Sequence, residues 1–163
     1  MAEEETPKKE YIVDPVESVR GEAMRRIVQS GIFTLDQIQR ENSAAPDTIP
    51  YCRITIPQGA EFAFDSQVRQ SKTVIVEFDI LTKALTQTQL AGQLAQRIEN
   101  AFGFMSRSSS DRTITMTGWT GANAVVQKFG RGTASVESDK NLYYLPVLLY
   151  VSLTIEKGAK YEV

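Results

Sequence analysis

The sequence predicts an α+β domain, with a mostly antiparallel β-sheet on which two main helices pack. Apolar and polar residues alternate over 51–57, 73–81 and 145–155, which is the period-two pattern of strands with one buried face. Apolar residues recur instead at three- and four-residue steps over 16–28 and 90–102, as in amphipathic helices. The order helix, two strands, helix, further strands favours helices packed on one antiparallel sheet.

The chain has 163 residues, which is enough for one domain with a sizeable core. Residues 1–13 are rich in charge and contain a proline. We expect them to form a flexible N-terminal arm. The alternative is an arm that orders against a neighbouring subunit. Residues 14–163 are expected to form a single α+β domain.

Both helices carry sequence signals at their ends. The first is predicted to begin at Asp14-Pro15, because Asp14 can cap it and proline suits the first turn. Gly31 can end it in a left-handed conformation. The second is predicted to begin with a T-x-x-Q capping box at 86–89 and to end before Gly103.

The stretch 58–71 between the first two strands is too long for a tight hairpin turn. Either the strands continue into it as a long ribbon, or it projects from the body as a loop. Phe62 and Phe64 alternate with Glu61 and Asp65, which favours some extension of the strands.

The C-terminal half is predicted to contain short strands at 124–129 and 133–136, separated by glycines. A long strand with a full buried side follows at 145–155. Pro146 cannot donate to a strand ladder, so we expect it at the start of this strand or on an edge.

The sequence lacks the residues that catalysis usually needs. It contains no histidine, which excludes Ser-His and Cys-His pairs and the usual zinc sites. It contains no P-loop and no G-x-S-x-G motif. The single cysteine, Cys52, is predicted to be a buried apolar residue. We therefore expect no enzyme activity and no cofactor.

Glu77 and Asp79 form a pair of carboxylates on one strand face, where they could hold a divalent cation. Such a cation needs several further oxygen ligands. We therefore favour a polar sheet face, or the lining of a cavity between subunits.

The formal net charge of −2 argues against nonspecific binding to duplex nucleic acid, which depends on neutralised phosphates. The basic residues assigned to the long loop and to the linker at 105–112 are sparse and interspersed with acidic ones. This favours solubility or subunit pairing over phosphate contacts for Arg69, Lys72, Arg107 and Arg112.

Four aromatic residues offer surface that could stack on bases. Without a basic groove beside them, we favour anchoring in the core or in a protein interface. These residues are Trp119, Tyr143, Tyr144 and Tyr150.

No apolar run approaches the ~20 residues of a membrane span, and the polar, acidic N-terminus does not match a secretory signal. We expect a soluble protein with no membrane partner, folded in a reducing cytoplasm.

An N-terminal helix leads into P-Y-C-R-I-T-I-P at 50–57 and a long polar loop. There follow T-V-I-V-E-F-D-I-L-T at 73–82, Q-L-A-G-Q-L-A-Q-R-I-E-N-A-F at 89–102 and L-P-V-L-L-Y-V-S-L-T-I at 145–155. This layout resembles the tail terminator, or tail completion, proteins of long-tailed bacteriophages. The resemblance covers most of the chain after Asp14, and it is one of element order and composition.

The resemblance implies a structural virion protein whose α+β assembly domain forms a ring, expected to be a hexamer, at the head-proximal end of the tail tube. The ring would end tube polymerisation and join the tail to the head. The implied partners are further copies of the chain, the tail tube protein and a head-neck connector or stopper protein. The implied location is the tail or neck of the virion, and the host cytoplasm during assembly.

In such a ring, DNA would pass through the lumen without specific binding, which a near-neutral or acidic surface favours. Glu77 and Asp79 are candidates to face the lumen. Other neck or minor tail proteins, and less favourably a nucleic-acid-binding module, remain alternatives. The candidate interface residues are Glu61, Phe62, Phe64, Asp65, Arg69, Lys72, Arg107 and Arg112.

Overall fold

The computed structural model describes residues 14–40, 43–57, 63–66 and 69–162. The predicted N-terminal arm, residues 1–13, lies outside these ranges, so its conformation stays a prediction.

The first helix, α1, spans Pro15–Gln29, and the second, α2, spans Thr88–Ala101. The predicted start of α1 is confirmed, because Oδ1 of Asp14 accepts a hydrogen bond from the Val16 N–H at 2.9 Å. Gly31 follows α1 with a φ of 70°, in the left-handed region that glycine favours.

The predicted capping box of α2 is wrong. The residue before the helix is Gln87, which makes no capping hydrogen bond through its side chain. Thr86 lies in the preceding turn, where its N–H donates to the Ala84 carbonyl at 2.8 Å. The glycine after the helix is confirmed, since Gly103 has a φ of 88°.

Eight strands form one sheet in the described part of the chain. In chain order they are β1 (Ile38–Gln39), β2 (Tyr51–Thr55), β3 (Ala63–Ser66), β4 (Arg69–Lys83), β5 (Thr113–Ile114), β6 (Trp119–Arg131), β7 (Ser135–Glu137) and β8 (Leu142–Tyr161). The main order across the sheet is β1-β2-β4-β8-β6-β5, with β3 beside β4 and β7 beside β8. Only β1 and β2 pair in parallel among these strands. The predicted α+β class is confirmed.

The centre of the sheet is the antiparallel pair β4 and β8. All 15 residues of β4 pair with β8, from Arg69 opposite Glu156 to Lys83 opposite Leu142, a ladder about 50 Å long. The ribbon alternative for 58–71 is confirmed where the structure describes it, because β3 pairs with the start of β4. Arg69 and Lys72 therefore lie in a strand, and their assignment to a loop was wrong.

Two of the C-terminal strands are longer than predicted, whereas the strand predicted at 133–136 is the three-residue β7 at Ser135–Glu137. The predicted strand at 124–129 is part of the 13-residue β6, and β8 has 20 residues. Pro146 lies inside β8, not at its start. The Pro146 carbonyl accepts a hydrogen bond from the Gly132 N–H at 3.0 Å. The Pro146 nitrogen therefore lies on the same strand edge, between the segments of β8 that pair with β7 and with β6. On this edge no described strand pairs with β8 at this point, so the missing N–H costs no hydrogen bond.

Both helices pack on the same side of the sheet and form the main core with it. Its largest fully buried side chains include Phe33, Phe78 and Phe102. Cys52 is fully buried in this core, as predicted, and burial raises the pKa of its thiol far above the ordinary value. The opposite face of the sheet carries neither helix.

Candidate functional site

We call that opposite side the helix-free face. Along β4 and β8 it is made by the residues that alternate with the core positions, and β2 contributes Arg53 and Thr55 beside them. Its residues include Arg53, Thr55, Thr73, Ile75, Glu77, Asp79, Leu81, Tyr144, Pro146, Leu148, Tyr150, Ser152 and Glu156, with Tyr51 and Leu142 at one end.

Asp79 is the centre of a polar cluster on this face. Its side chain is 1% exposed, yet both carboxylate oxygens have partners. The Tyr144 hydroxyl donates to Oδ1 at 2.7 Å, and Nε of Arg53 donates to Oδ2 at 3.0 Å. Because the three residues come from β4, β8 and β2, the cluster joins three neighbouring strands.

Glu77 lies beside this group and is half-buried. Its Oε2 is 3.5 Å from the Tyr144 hydroxyl. Burial, and then the neighbouring carboxylate of Asp79, raise the pKa of Glu77 from 4.5 to about 7. Burial and the two carboxylates also raise the pKa of the Tyr144 hydroxyl above its ordinary value, so it stays a hydrogen-bond donor at neutral pH.

The geometry does not favour the metal-site alternative for Glu77 and Asp79. Arg53 and Tyr144 already occupy the Asp79 oxygens that a cation would use. No group of three or more possible ligands is found among the described residues. The absence of enzyme activity and of a cofactor stays a prediction.

Apolar side chains surround the polar cluster. Ile75, Leu148 and Tyr150 are half-buried on the helix-free face, and Nζ of Lys128 lies 5.1 Å from the centre of the Tyr150 ring. At the end of the face, Tyr51, Leu81 and Leu142 form a second small cluster of buried apolar residues, against which Tyr144 packs. The face therefore combines neutralised charge with accessible apolar surface.

The structure describes the residues predicted from the sequence as an interface only in part, so their grouping into one interface stays a prediction. Glu61 and Phe62 lie outside the described residues. Phe64 and Asp65 lie in β3 and Arg69 lies in β4, and the structure describes only their backbone.

The remaining three predicted interface residues differ in burial. Lys72 is 7% exposed and lies opposite core residue Leu153, which does not favour a surface contact. Arg107 is exposed and Arg112 is half-buried. No observation tests their role in an interface, which stays a prediction.

The four aromatic residues do not form one stacking surface. Trp119 packs against the main core, where its Nε1–H donates to Oγ of Ser18 at 3.0 Å. Tyr143 packs against the same core, whereas Tyr144 and Tyr150 lie on the helix-free face.

Sequence reasoning identified Glu77 and Asp79, and it named Tyr144 only as an aromatic anchor; it did not place Arg53 or Tyr144 beside Asp79. These two residues are 26 and 65 positions from Asp79 in the chain. Alternation assigned Arg53 to the outward side of its strand, and only the strand order and register bring it beside Asp79.

In the described part of the chain, no helix is long and apolar enough to cross a membrane.

The fold is an α+β domain with two helices on one side of a mostly antiparallel sheet. No protein-family model matches the chain, and no curated protein matches it. A solved structure of a protein that carries only a sequence identifier as its name is similar over 84% of this chain and 94% of its own, with 14% identity and a TM-score of 0.51. At this identity the likeness concerns the fold alone.

A second solved structure is a chain of the virion of a native gene transfer agent particle. It is similar over 86% of this chain and 93% of its own, with 12% identity and a TM-score of 0.49. A likeness at this TM-score supports no conclusion about the present chain.

Proposed function

We propose that this protein is a structural subunit of the virion of a long-tailed bacteriophage, of the tail terminator type. It forms a ring, expected to be a hexamer, at the head-proximal end of the tail tube. The ring ends tube polymerisation and joins the tail to the head and neck. The proposal starts from the resemblance in segment order and extends it with the geometry of the helix-free face.

The helix-free face is the observation that carries the proposal. An antiparallel sheet can leave one face in water, and such a face is then normally polar. Here Ile75, Leu148 and Tyr150 are half-buried, and the most buried charge, Asp79, is neutralised by Arg53. Accessible apolar surface beside neutralised charge is typical of a protein contact. We therefore propose that this face contacts a neighbouring copy.

A closed ring needs two different surfaces on each copy, because its interface is heterologous. The helix-free face supplies one of them. The second ring surface, and the surfaces for the tail tube protein and the head-neck connector or stopper protein, then lie on other parts of the subunit. Glu77 and Asp79 as lumen-facing residues stay a prediction, and the burial of Asp79 leaves it little charge to present to DNA.

Light scattering and negative-stain images of the purified protein test the proposal, alone and mixed with tail tubes. We expect a ring of defined mass, or a ring that forms at tube ends. A protein that stays monomeric at all concentrations and leaves tube ends uncapped would overturn it.

A further inference from the structure

The first helix carries a second apolar stripe besides the one that it buries in the core. The core stripe consists of Val16, Val19, Ala23 and Ile27. On another side of α1, Gly21, Met24 and Val28 follow one another at three- and four-residue steps. Gly21 is exposed, and the other two are half-buried. Packing on the sheet uses the core stripe, so the second stripe is accessible to something else.

Two depressions in the described surface adjoin over this second stripe. One has a volume of about 420 Å³ and reaches Leu35, which is 48% exposed. The other has a volume of about 340 Å³ and reaches Ile38 of β1. Because Gly21, Met24 and Arg40 line both, the two form one groove on the outside of α1. We call it the α1 groove.

Gly21 leaves room at the floor of the α1 groove. Apart from the adjoining backbone of α1, no described atom lies within 4 Å of the position that a Cβ at Gly21 would take. Glycine weakens a helix relative to alanine, and it permits the close approach of another backbone. Gly92 of α2 has the same open space but lines neither depression, which makes it a matched control.

The α1 groove also carries a cation that has no partner in the described part of the chain. Arg40 is exposed, and no salt bridge or hydrogen bond of its guanidinium is found among the described residues. The acidic lining residues, Glu17 and Glu22, each pair with an arginine three residues further along α1. The groove therefore fits a segment that is apolar in one part and acidic in another.

The sequence just before α1 has this composition. Residues 11–13 are Tyr-Ile-Val and end at the helix cap Asp14, and residues 3–5 are Glu-Glu-Glu. The nine residues 5–13 span up to about 30 Å when extended, whereas α1 is about 22 Å long. The segment is therefore long enough to turn back at Asp14 and follow the whole groove.

We propose that residues 3–13 bind in the α1 groove of their own chain, with 11–13 against Gly21 and Met24 and the acidic run 3–5 near Arg40. The segment is joined directly to the helix that forms the floor of the groove. Its effective concentration there is on the order of 1 mM, which favours it over a separate partner. This arrangement replaces the flexible arm expected from the sequence, and it needs neither a ring nor a neighbouring copy.

A nitroxide spin label on Thr6→Cys in the full chain tests the arrangement by NMR. Cys52 is fully buried, so the label attaches to the introduced cysteine alone. With the reduced label as reference, we expect the amide signals of Gly21 and Met24 to broaden. The signal of Leu148, on the opposite side of the sheet, should broaden much less. Unbroadened signals along α1 would overturn the proposal.

A matched pair of glycine variants locates the contact. Gly21→Gln fills the floor of the groove with a residue that favours helices, so it should abolish the broadening of the Met24 signal. Gly92→Gln makes the same change on α2 and should retain the broadening. Broadening that persists in Gly21→Gln would place the segment elsewhere and overturn the proposal.

A mixed sample distinguishes the chain's own segment from that of a neighbour. Spin-labelled chains without isotope enrichment are mixed with isotope-enriched chains that carry no label. We expect the Gly21 signal to stay sharp in this mixture. Broadening there would show that the segment binds a neighbouring copy, which would overturn binding within one chain. Because no outcome requires a ring, a failure of the proposed function leaves this test unchanged.

Discussion

The two faces of the sheet are made by alternate residues of the same strands, yet they are buried in different ways. On the helix-covered face, Ile80 and Phe78 are completely buried, and Phe78 packs against Phe102 of the region that follows α2, with ring centres 5.6 Å apart. On the helix-free face, Ile75 is only half-buried, and the strands are joined by a polar cluster. The helix-covered face is complete within one chain, whereas the helix-free face leaves apolar surface accessible.

The largest expected difference in unfolding free energy is between two isoleucines on opposite faces of β4. Ile80→Ala should lower the free energy of unfolding by about 3 kcal/mol, because it opens a cavity in a closed core. Ile75→Ala should cost about 1 kcal/mol or less, since water reaches this site. Urea unfolding of both variants measures the difference. Equal losses would show that a single chain buries both faces alike.

Ile75→Ala should have the larger effect on assembly. Light scattering of folded samples should show weaker association for Ile75→Ala than for wild type. If Ile75→Ala assembles like wild type, Ile75 is not part of the contact between copies.

Each side of the sheet also holds one buried carboxylate that is paired with a half-exposed arginine. On the helix side, Arg131 binds Glu99 through two hydrogen bonds of 2.6 and 3.3 Å. Arg131→Met and Arg53→Met should each cost about 2 kcal/mol in urea unfolding, because each leaves a buried carboxylate without its cation. Arg97→Met is the control; Arg97 is exposed and makes one long hydrogen bond, so its loss should stay within about 0.5 kcal/mol. If the unfolding free energy of all three variants falls by about 0.5 kcal/mol or less, neither ion pair contributes to stability.

The pH dependence of stability should differ between wild type and Glu77→Gln. The pKa of Glu77 is about 7 in the folded chain and 4.5 ordinarily, so the folded state binds the proton more tightly. Unfolding between these values releases a proton, and stability should therefore fall as pH rises from about 4.5 to 7 and then level off. Glu77→Gln should lack this component. The effect should be smaller than that of the arginine variants, because water screens a half-buried group.

If the free energy of unfolding depends on pH in the same way for wild type and Glu77→Gln over this range, Glu77 titrates alike in the folded and unfolded chain. Glu156→Gln, on the same face, should keep the wild-type dependence of the unfolding free energy on pH.

The smallest predicted effect concerns two threonines of β4. Oγ1 of Thr82 is buried and has no hydrogen-bond partner among the described residues, so Thr82→Val should leave stability unchanged or raise it by up to about 1 kcal/mol. Thr73 is exposed on the helix-free face, and Thr73→Val should stay within about 0.5 kcal/mol. Thermal unfolding compares the two, and a loss above 1 kcal/mol for Thr82→Val would reveal a partner for its hydroxyl.

Alternation along the strands was enough to predict two faces and to assign Ile80 to the buried one. It could not predict which residues meet across strands, because the register between β2, β4 and β8 depends on the whole fold. The capping box failed for a local reason: Leu85 adopts a φ of 68° in the turn before α2. That turn leaves Thr86 outside the helix, and no motif in the sequence predicts the turn.

The central claim is that the helix-free face binds another copy of the chain. Light scattering of wild type, Leu148→Glu and Leu35→Glu tests it most directly, with circular dichroism to verify folding. Leu148 lies on the helix-free face, and Leu35 is 48% exposed beside α1. We predict a ring-sized mass for wild type and Leu35→Glu and a monomer for Leu148→Glu. A ring-sized mass for folded Leu148→Glu would contradict the claim.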